Sequence, residues 1–261
     1  MTTRLPTHWR VGMGLAALLV ATALLVAWLN LRGEEPLQPD PPGAAPADAA
    51  TLARGAYLAR AGNCAGCHTA RGGSAYAGGR SITTPFGSVF AGNLTPDVSG
   101  LGSWTAAQFR RALWHGRAAD GRLLVPAFPY THYTRVTRAD ADALWAFLRS
   151  LPPVQQANQP HALRWPYKSQ AALAVWRALY FRPGPGDDGL PPGASARLQR
   201  GAYLVNGLGH CSACHAPRGV LGGSGSLADS AGGSTLPGQR WLAPSLTDPA
   251  EIGMGRRDAA A

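Results

Sequence analysis

A single long apolar run dominates the hydrophobic pattern near the N-terminus. Residues 11–31 contain no charged side chain over 21 positions, which is long enough for a helix to cross the hydrocarbon core of a bilayer. Trp9 and Trp28 fall near the two ends of the run, where indole rings favour the boundary between lipid and water. The pattern therefore predicts one transmembrane helix.

The charges that flank this run predict its orientation. Arg4 and Arg10 precede it, whereas Arg32 is followed by two glutamates. The positive-inside rule then places the N-terminus in the cytoplasm and everything after Arg32 outside it. A cleaved signal peptide is the alternative, but the small-residue site that would suit cleavage, residues 47–49, lies well past the apolar run. In both cases the soluble part is exported.

Apolar residues at helical spacing recur in four shorter segments further along the chain. Glycine and proline are abundant, 33 and 22 of 261 residues, and this composition favours loop-rich domains over a large regular sheet. Helices are expected over residues 51–61, from a cap at Ser103 to Trp114, from a capping box at Thr137 to near Leu151, and over residues 169–181.

All four cysteines occur in two copies of one short motif, Cys64-Ala65-Gly66-Cys67-His68 and Cys211-Ser212-Ala213-Cys214-His215. The order C-x-x-C-H is the attachment signature of c-type haem. The two thiols, one helical turn apart, add to the two vinyl groups, and the following histidine is the proximal iron ligand. A disulfide framework would not require a histidine after each pair. A paired zinc site normally has a much shorter separation. Two covalently bound haem c groups are therefore predicted.

The residues around the two motifs repeat as well. Residues 54–58 and 200–204 both read R-G-A-Y-L, and L-T-P-D at 94–97 is echoed by L-T-D-P at 246–249. A duplicated haem domain follows from this repeat. The predicted fold is all-α: an N-terminal transmembrane helix followed by two cytochrome c-like domains, the second incomplete.

The expected boundaries follow from the repeats and from two Pro-rich stretches. They are 1–32 for a cytoplasmic tip and membrane anchor, 33–50 for a Pro/Ala-rich tether, 51–152 for the first haem domain, 153–195 for a connecting segment and linker, and 196–261 for a truncated second haem domain.

Candidates for the second axial ligand of each iron are few. Of the three methionines, Met1 and Met13 belong to the N-terminal region, so the first haem has no methionine in its own domain. We favour His132, in the Pro-stiffened loop before the last helix, over His115 or an open site. A low-spin, bis-histidine first haem is the resulting hypothesis. Met254 is a weak candidate for the second haem because its repeat counterpart is a loop leucine.

These motifs resemble the membrane-anchored multihaem cytochrome c subunits of bacterial periplasmic dehydrogenases of the alcohol, gluconate and sorbitol types. The resemblance extends over about residues 52–255 and rests on the two extended R-G-A-Y-L/C-x-x-C-H segments, on N-L-T-P-D followed by G-L-G-S-W, and on P-A-F-P-Y. It implies an electron-transfer subunit with a catalytic dehydrogenase partner and quinone, an oxidase or another cytochrome as acceptor. The family usually carries three haem motifs, and its loop commonly has Met where Phe128 stands.

The net charge and the remaining residues argue against nucleic-acid binding and leave one alternative to an electron carrier. The formal net charge is +10, but the basic residues are scattered and the compartment is wrong for nucleic acid. The excess of arginine over aspartate in the first haem domain would suit docking of an acidic redox partner. A haem enzyme or ligand sensor of peroxidase type, with His115 as its best acid–base candidate, is the alternative to an electron carrier.

Overall fold

Helices make up most of the regular structure in the computed structural model, which describes residues 6–37, 47–186, 189–225, 234–235, 242–244 and 246. The helices are α1 (Thr7–Leu31), α2 (Ala49–Ala61), α3 (Cys64–His68), α4 (Ala106–His115), α5 (Tyr130–Tyr133), α6 (Arg138–Arg149), α7 (Gln170–Tyr180), α8 (Ala196–Tyr203) and α9 (Ser212–His215), with a π-helical turn at Leu204–Leu208. The strands are β1 (Ser81–Thr84), β2 (Gly87–Phe90), β3 (Ala162–Leu163), β4 (Ser234–Thr235) and β5 (Leu242–Ala243).

The apolar run forms α1, a continuous 25-residue helix with a mean hydropathy of 2.2 over its most apolar window. Among the described residues, α1 is the one helix that is long and apolar enough to cross a membrane. A signal sequence near the N-terminus would have the same length and composition. Nearly all its side chains are exposed, and its last turn packs against α7. The helix expected from the sequence is therefore present. Arg4, which contributed to its predicted orientation, lies outside the described residues.

The core of the first repeat is built where α2 crosses α6. Leu58 and Ala59 of α2 and Leu144 and Leu148 of α6 are fully buried there, and α4 packs on the same side of α6. Helices α2 and α6 are in very close contact at Gly55. A Cβ atom at this position would collide with the carbonyl oxygen of Ala143. A glycine is thus required at the crossing for steric reasons.

All four of the predicted helices begin with a side-chain cap, and Asp48 provides that of α2. Thr137 and Ser169 cap α6 and α7 through their hydroxyl oxygens, close to the predicted starts. The expected cap at Ser103 is wrong, since α4 begins after Thr105. The Thr105 side chain and Gln108 form a complete capping box, and Gln108 is the residue type that completes this motif three positions after the cap.

A small antiparallel sheet interrupts the all-α plan that the sequence predicted. β1 and β2 form a hairpin, and β3 pairs with the other edge of β2. The strands are two to four residues long, too short for an alternating pattern to be recognised. Gly87 has a φ of 122°, which glycine adopts readily and other residues do not. The protein is helix-rich with this sheet attached.

The second repeat packs against the first through the turn that follows α8. Leu208 is 1% exposed and belongs to the core cluster of the first repeat, and its side chain lies against Gly62. The segment expected to connect the repeats contributes β3 and α7. Met254 and the end of the predicted second domain lie outside the described residues, as does half of the tether, residues 38–46.

Candidate functional site

The first C-x-x-C-H motif forms the single-turn helix α3 directly after α2. Asn63, immediately before Cys64, has a left-handed backbone with φ of 48° and redirects the chain between the two helices. A Cβ atom at Gly66 would collide with the Asn63 side chain. The local sequence N-C-A-G-C-H therefore folds into a tight corner that brings both thiols and the His68 ring to one end of α2.

The His68 ring is oriented by a backbone hydrogen bond. Its Nδ1 lies 2.7 Å from the carbonyl oxygen of Gly92. Because a carbonyl oxygen only accepts, Nδ1 must carry the proton, and Nε2 keeps a free lone pair. Burial lowers the pKa of His68, which keeps the ring neutral at neutral pH. This is the tautomer and the orienting contact expected of a histidine that ligates a metal through Nε2.

The second motif repeats this arrangement. His210, immediately before Cys211, has φ of 40°, and the His215 Nδ1 lies 2.7 Å from the carbonyl oxygen of Pro244. Pro244 stands two residues before the repeated Leu-Thr pair, as Gly92 does in the first copy. Neither carbonyl partner was predicted from the sequence. Each stands two residues before a repeated Leu-Thr pair, and this shared position could have identified them.

A cavity of about 1820 Å³ lies over the first motif and reaches the second. Cys64, Cys67 and His68 of the first motif, Cys214 of the second motif and His132 all line it. Its volume exceeds the roughly 300–1,000 Å³ of ordinary small-molecule sites. Cys211 and His215 do not line this cavity within the described residues.

The thiols of the two motifs are free and close enough to influence each other. Burial raises the pKa of Cys64 to about 12. Burial also raises the pKa of Cys67, and the nearby Cys214 contributes to the same shift. None of the four cysteines forms a disulfide. Two thiol pairs, each followed by a histidine with an available Nε2, are thus held near one another.

His132, the favoured distal ligand, lies on α5 at the contact between the repeats. Its Nδ1 is 3.3 Å from the carbonyl oxygen of Asn206 in the π-helical turn, so Nδ1 donates and Nε2 again keeps its lone pair. Burial lowers the pKa of His132 to about 4. His132 therefore has the neutral tautomer of a ligand, although its hydrogen-bond partner comes from the second repeat. That contact could not be inferred from the sequence.

The other candidates around the first motif differ from His132. His115 is buried, contacts the Phe181 ring edge to face and does not line the cavity. His161 lines the cavity, but its Nδ1 accepts the backbone N–H of Phe90, so its proton is on Nε2. Phe128 also lines the cavity and packs on Tyr133. Of these three histidines, His132 is the one that both lines the cavity and keeps Nε2 unprotonated.

One buried carboxylate joins the two repeats. Asp140, in the first turn of α6, accepts hydrogen bonds from Arg54 at 2.6 Å, from Arg200 at 3.4 Å and from the hydroxyl of Tyr203 at 2.7 Å. The same hydroxyl accepts the backbone N–H of Thr137 at 3.1 Å. The capping box predicted at Thr137 is therefore completed by Tyr203 from the second repeat, and Asp140 is left to pair with the arginines.

These features fit a covalently bound haem. The donor set supplies two thiols for thioether bonds and one imidazole for iron, in the order that attachment requires. The cavity walls near the motif are apolar, with Leu101, Trp104, Phe109 and Leu144 among them. An apolar pocket with one correctly protonated ligand is the environment that a porphyrin needs.

Comparison with known proteins agrees with this chemistry. The cytochrome c family model matches residues 52–152. A cytochrome c subunit of quinone-dependent alcohol dehydrogenase from Gluconacetobacter polyoxogenes is 42% identical over 217 residues, which is 80% of this chain and 46% of the relative. A cytochrome c subunit of gluconate 2-dehydrogenase from Pantoea cypripedii is 39% identical over 223 residues, 80% of this chain and 49% of the relative. The chain spans about half the length of these dehydrogenase subunits.

A further relative covers both repeats. A protein named diheme cytochrome c-type, from Cereibacter sphaeroides, is 38% identical over 256 residues, which is 95% of this chain and 82% of the relative. The resemblance inferred from the sequence is confirmed by these matches. The chain belongs to the c-type cytochromes that include the cytochrome c subunits of bacterial alcohol and gluconate dehydrogenases.

Proposed function

We propose that the protein is a membrane-anchored dihaem c-type cytochrome that takes electrons from a partner dehydrogenase and passes them to quinone or a terminal oxidase. The observation that carries the proposal is the common cavity, which is lined by Cys64 and Cys67 of one motif and by Cys214 of the other. A c-type haem supplies a one-electron iron couple within a protein. Two such groups attached to the walls of one cavity would lie near enough to exchange electrons.

Each motif has the residues to attach and orient one haem. The thioether cysteines would be Cys64 and Cys67 in the first repeat and Cys211 and Cys214 in the second. The proximal ligands would be His68 and His215. Both imidazoles donate Nδ1–H to a backbone carbonyl at 2.7 Å, so the chain fixes each ring and leaves Nε2 unprotonated, as a nitrogen that would hold iron must be.

Separate removal of the two thiol pairs tests this assignment. A Cys64→Ser/Cys67→Ser variant and a Cys211→Ser/Cys214→Ser variant are each expected to lose one of two covalent haems, because thioether bonds need the thiols. Denaturing mass spectrometry and the absorbance of the pyridine complex measure haem per chain, with the unsubstituted protein as control. A wild-type protein with one haem, or a variant that still retains two, would refute the assignment.

We further propose His132 as the distal ligand of the first haem, which makes that haem low-spin. The support is its position on the cavity wall and its free Nε2. His132→Ala should convert one haem toward a high-spin, carbon monoxide-binding form. His161→Ala, which removes another histidine of the same cavity, should leave the spectrum unchanged. Unchanged spectra in His132→Ala would exclude this ligand.

An electron carrier is favoured over a haem enzyme or sensor by the surroundings of the cavity. His115 was the best candidate for acid–base chemistry on peroxide, yet it is buried beside Phe181 and does not line the cavity. A carrier needs no acid–base pair. Peroxide turnover by the purified holoprotein would favour the enzyme instead.

The location proposed is a single-pass inner-membrane protein with its haem domains in the periplasm. Residues 11–31, within α1, provide the apolar length and contain no charge. Lipid is then a partner of α1, while the exposed basic surface of the first repeat is available to an acidic redox partner.

A further inference from the structure

Four arginines converge where the last turn of α1 meets α7. They are Arg32, Arg111, Arg117 and Arg177. Burial lowers the pKa of Arg177, and Arg117 and Arg32 are close enough to lower it further. Burial also lowers the pKa of His115, and Arg111, Arg117 and Arg177 all contribute to that shift. Glu34 is the carboxylate that faces them: its Oε2 is 2.7 Å from Arg117 Nε and its Oε1 is 3.9 Å from Arg111 Nε. Four guanidinium groups and one carboxylate leave an excess of three positive charges, which we call the arginine cluster.

Arg177 has donors that no described residue satisfies. It is 1% exposed, with its guanidinium carbon 4.3 Å from the ring centre of Phe181 and 5.7 Å from that of Tyr130. Its Nη2 is 3.4 Å from the carbonyl oxygen of Asn30. Its Nε and Nη1, like Nε of Arg32, have no hydrogen-bond partner within the described ranges. Buried charged donors without acceptors are costly, so the arginine cluster favours an added oxyanion.

The depth of the arginine cluster in the membrane follows from α1. Residues 11–31 span roughly 32 Å at about 1.5 Å per residue, close to the roughly 30 Å thickness of a hydrocarbon core. The Asn30 carbonyl, which accepts from both Arg117 and Arg177, is therefore at the boundary between acyl chains and headgroups. Phospholipid phosphates are found just beyond this boundary.

Helix α7 lies between the anchor and the cavity. It packs along the end of α1 and carries Arg177, while its partly exposed Val175 and Leu179 line the cavity. The arginine cluster thus belongs to the part of the first repeat nearest the anchor.

We propose that the arginine cluster binds the phosphate of an anionic phospholipid, with the half-buried Arg32 as its principal ligand and the buried Arg177 behind it. The proposal rests on α1 being a membrane anchor. Guanidinium groups form charge-assisted, often bidentate hydrogen bonds with phosphate. Glu34 is 2.7 Å from Arg117 and 3.9 Å from Arg111, whereas Arg32 and Arg177 have no carboxylate partner among the described residues. The bound lipid would fix the orientation of the first haem domain over the membrane.

Lipid binding to the full-length holoprotein tests the proposal. Native mass spectrometry would compare phosphatidylglycerol with phosphatidylcholine, and intact mass would first establish that α1 is retained. Arg32→Gln and Arg177→Gln are each expected to weaken phosphatidylglycerol binding by about fivefold, the effect of one basic residue near an anionic surface. Arg138→Gln, which removes an exposed arginine of α6, is the matched control and should bind as the wild type does.

Each outcome has a distinct meaning. Wild-type affinity in both Arg32→Gln and Arg177→Gln, with unaltered haem spectra, would overturn the lipid site while leaving the anchor intact. Equal binding of the two lipids would also overturn it. Inorganic phosphate that binds to the same arginines and displaces phosphatidylglycerol would identify a soluble anion as ligand instead. Loss of α1 from the mature chain would overturn the anchor and the lipid site together. If Arg177→Gln fails to fold, the half-buried Arg32 still provides the test.

Discussion

The R-G-A-Y-L segments of the two repeats have the same five residues and different surroundings. Gly55 lies in the crossing of α2 with α6, where a Cβ atom would strike Ala143. Gly201, its counterpart in α8, has no described atom within 4 Å of a Cβ built on it. α2 buries three residues and α8 buries none. The same sequence is therefore part of a core in one repeat and half-buried, with no residue in a core, in the other.

The arginines and tyrosines of these segments also differ in their roles. Arg54 and Arg200 are counterparts, yet both donate to Asp140 of the first repeat. Tyr203 bridges Asp140 and Thr137, whereas its counterpart Tyr57 is exposed. The second segment thus uses its repeated residues to attach to the first repeat. Duplicated sequence has here produced an interface as well as a second haem motif.

The largest effect is expected from alanine at the two glycines. Gly55→Ala should lower the free energy of unfolding by about 3 kcal/mol, because a backbone carbonyl cannot move aside as a side chain can. Gly201→Ala should instead raise it by up to about 1 kcal/mol, since alanine is the better helix former in an open site. Denaturant midpoints measured by circular dichroism would compare the two. Equal shifts would contradict the difference in packing.

An intermediate effect is expected at the shared carboxylate. Asp140→Asn keeps the volume but removes the charge that Arg54 and Arg200 share, and Asp140 is only 1% exposed while both arginines reach solvent. We expect a loss of about 2 kcal/mol, less than for a fully buried pair, and faster proteolysis near residues 183–193. Asp142→Asn on the same helix, 44% exposed, is the control. Similar losses in both variants would show that Asp140 does not join the repeats.

The smallest effect is expected at the tyrosine hydroxyls. Tyr203→Phe removes both hydrogen bonds of the hydroxyl, to Asp140 and from Thr137. It should cost about 1.5 kcal/mol, because one hydrogen bond contributes about 1 kcal/mol net and this pair is only half-buried. Tyr57→Phe should be neutral because that side chain is exposed. Thermal unfolding of the two variants, followed in parallel, makes the comparison. A neutral Tyr203→Phe would indicate that water replaces the hydroxyl.

The parts of the fold that local sequence determines were predictable. The apolar run, the caps at Thr137 and Ser169, and the short helices at the C-x-x-C-H motifs depend on residues close together in the chain. The sheet was not predictable because its strands are too short to show alternation. The packing of α7 on α1 was also missed, since it depends on residues 144 positions apart, as in the hydrogen bond from Asn30 to Ala174.

The site divides in the same way. Its cysteines and proximal histidines follow from a local motif, and so do their helical turns. The partner of His132 does not, because Asn206 is 74 residues away in sequence. The role of Asp140 was hidden for a different reason. An aspartate three residues after a threonine has a sufficient local explanation as a capping residue, and only the structure reveals that a distant tyrosine takes that place.

Leu208 has a consequence for how the protein matures. It is fully buried in the core formed by α2, α4 and α6, yet it follows those helices in the chain. A chain that emerges from its N-terminus has all of these helices before the residue that fills their remaining space. The core that supports the first motif is therefore completed late, after the second R-G-A-Y-L segment has emerged. On the proposal that each motif attaches one haem, insertion of the two would be coupled, and a deletion that begins after residue 195 would impair the first haem as well as remove the second.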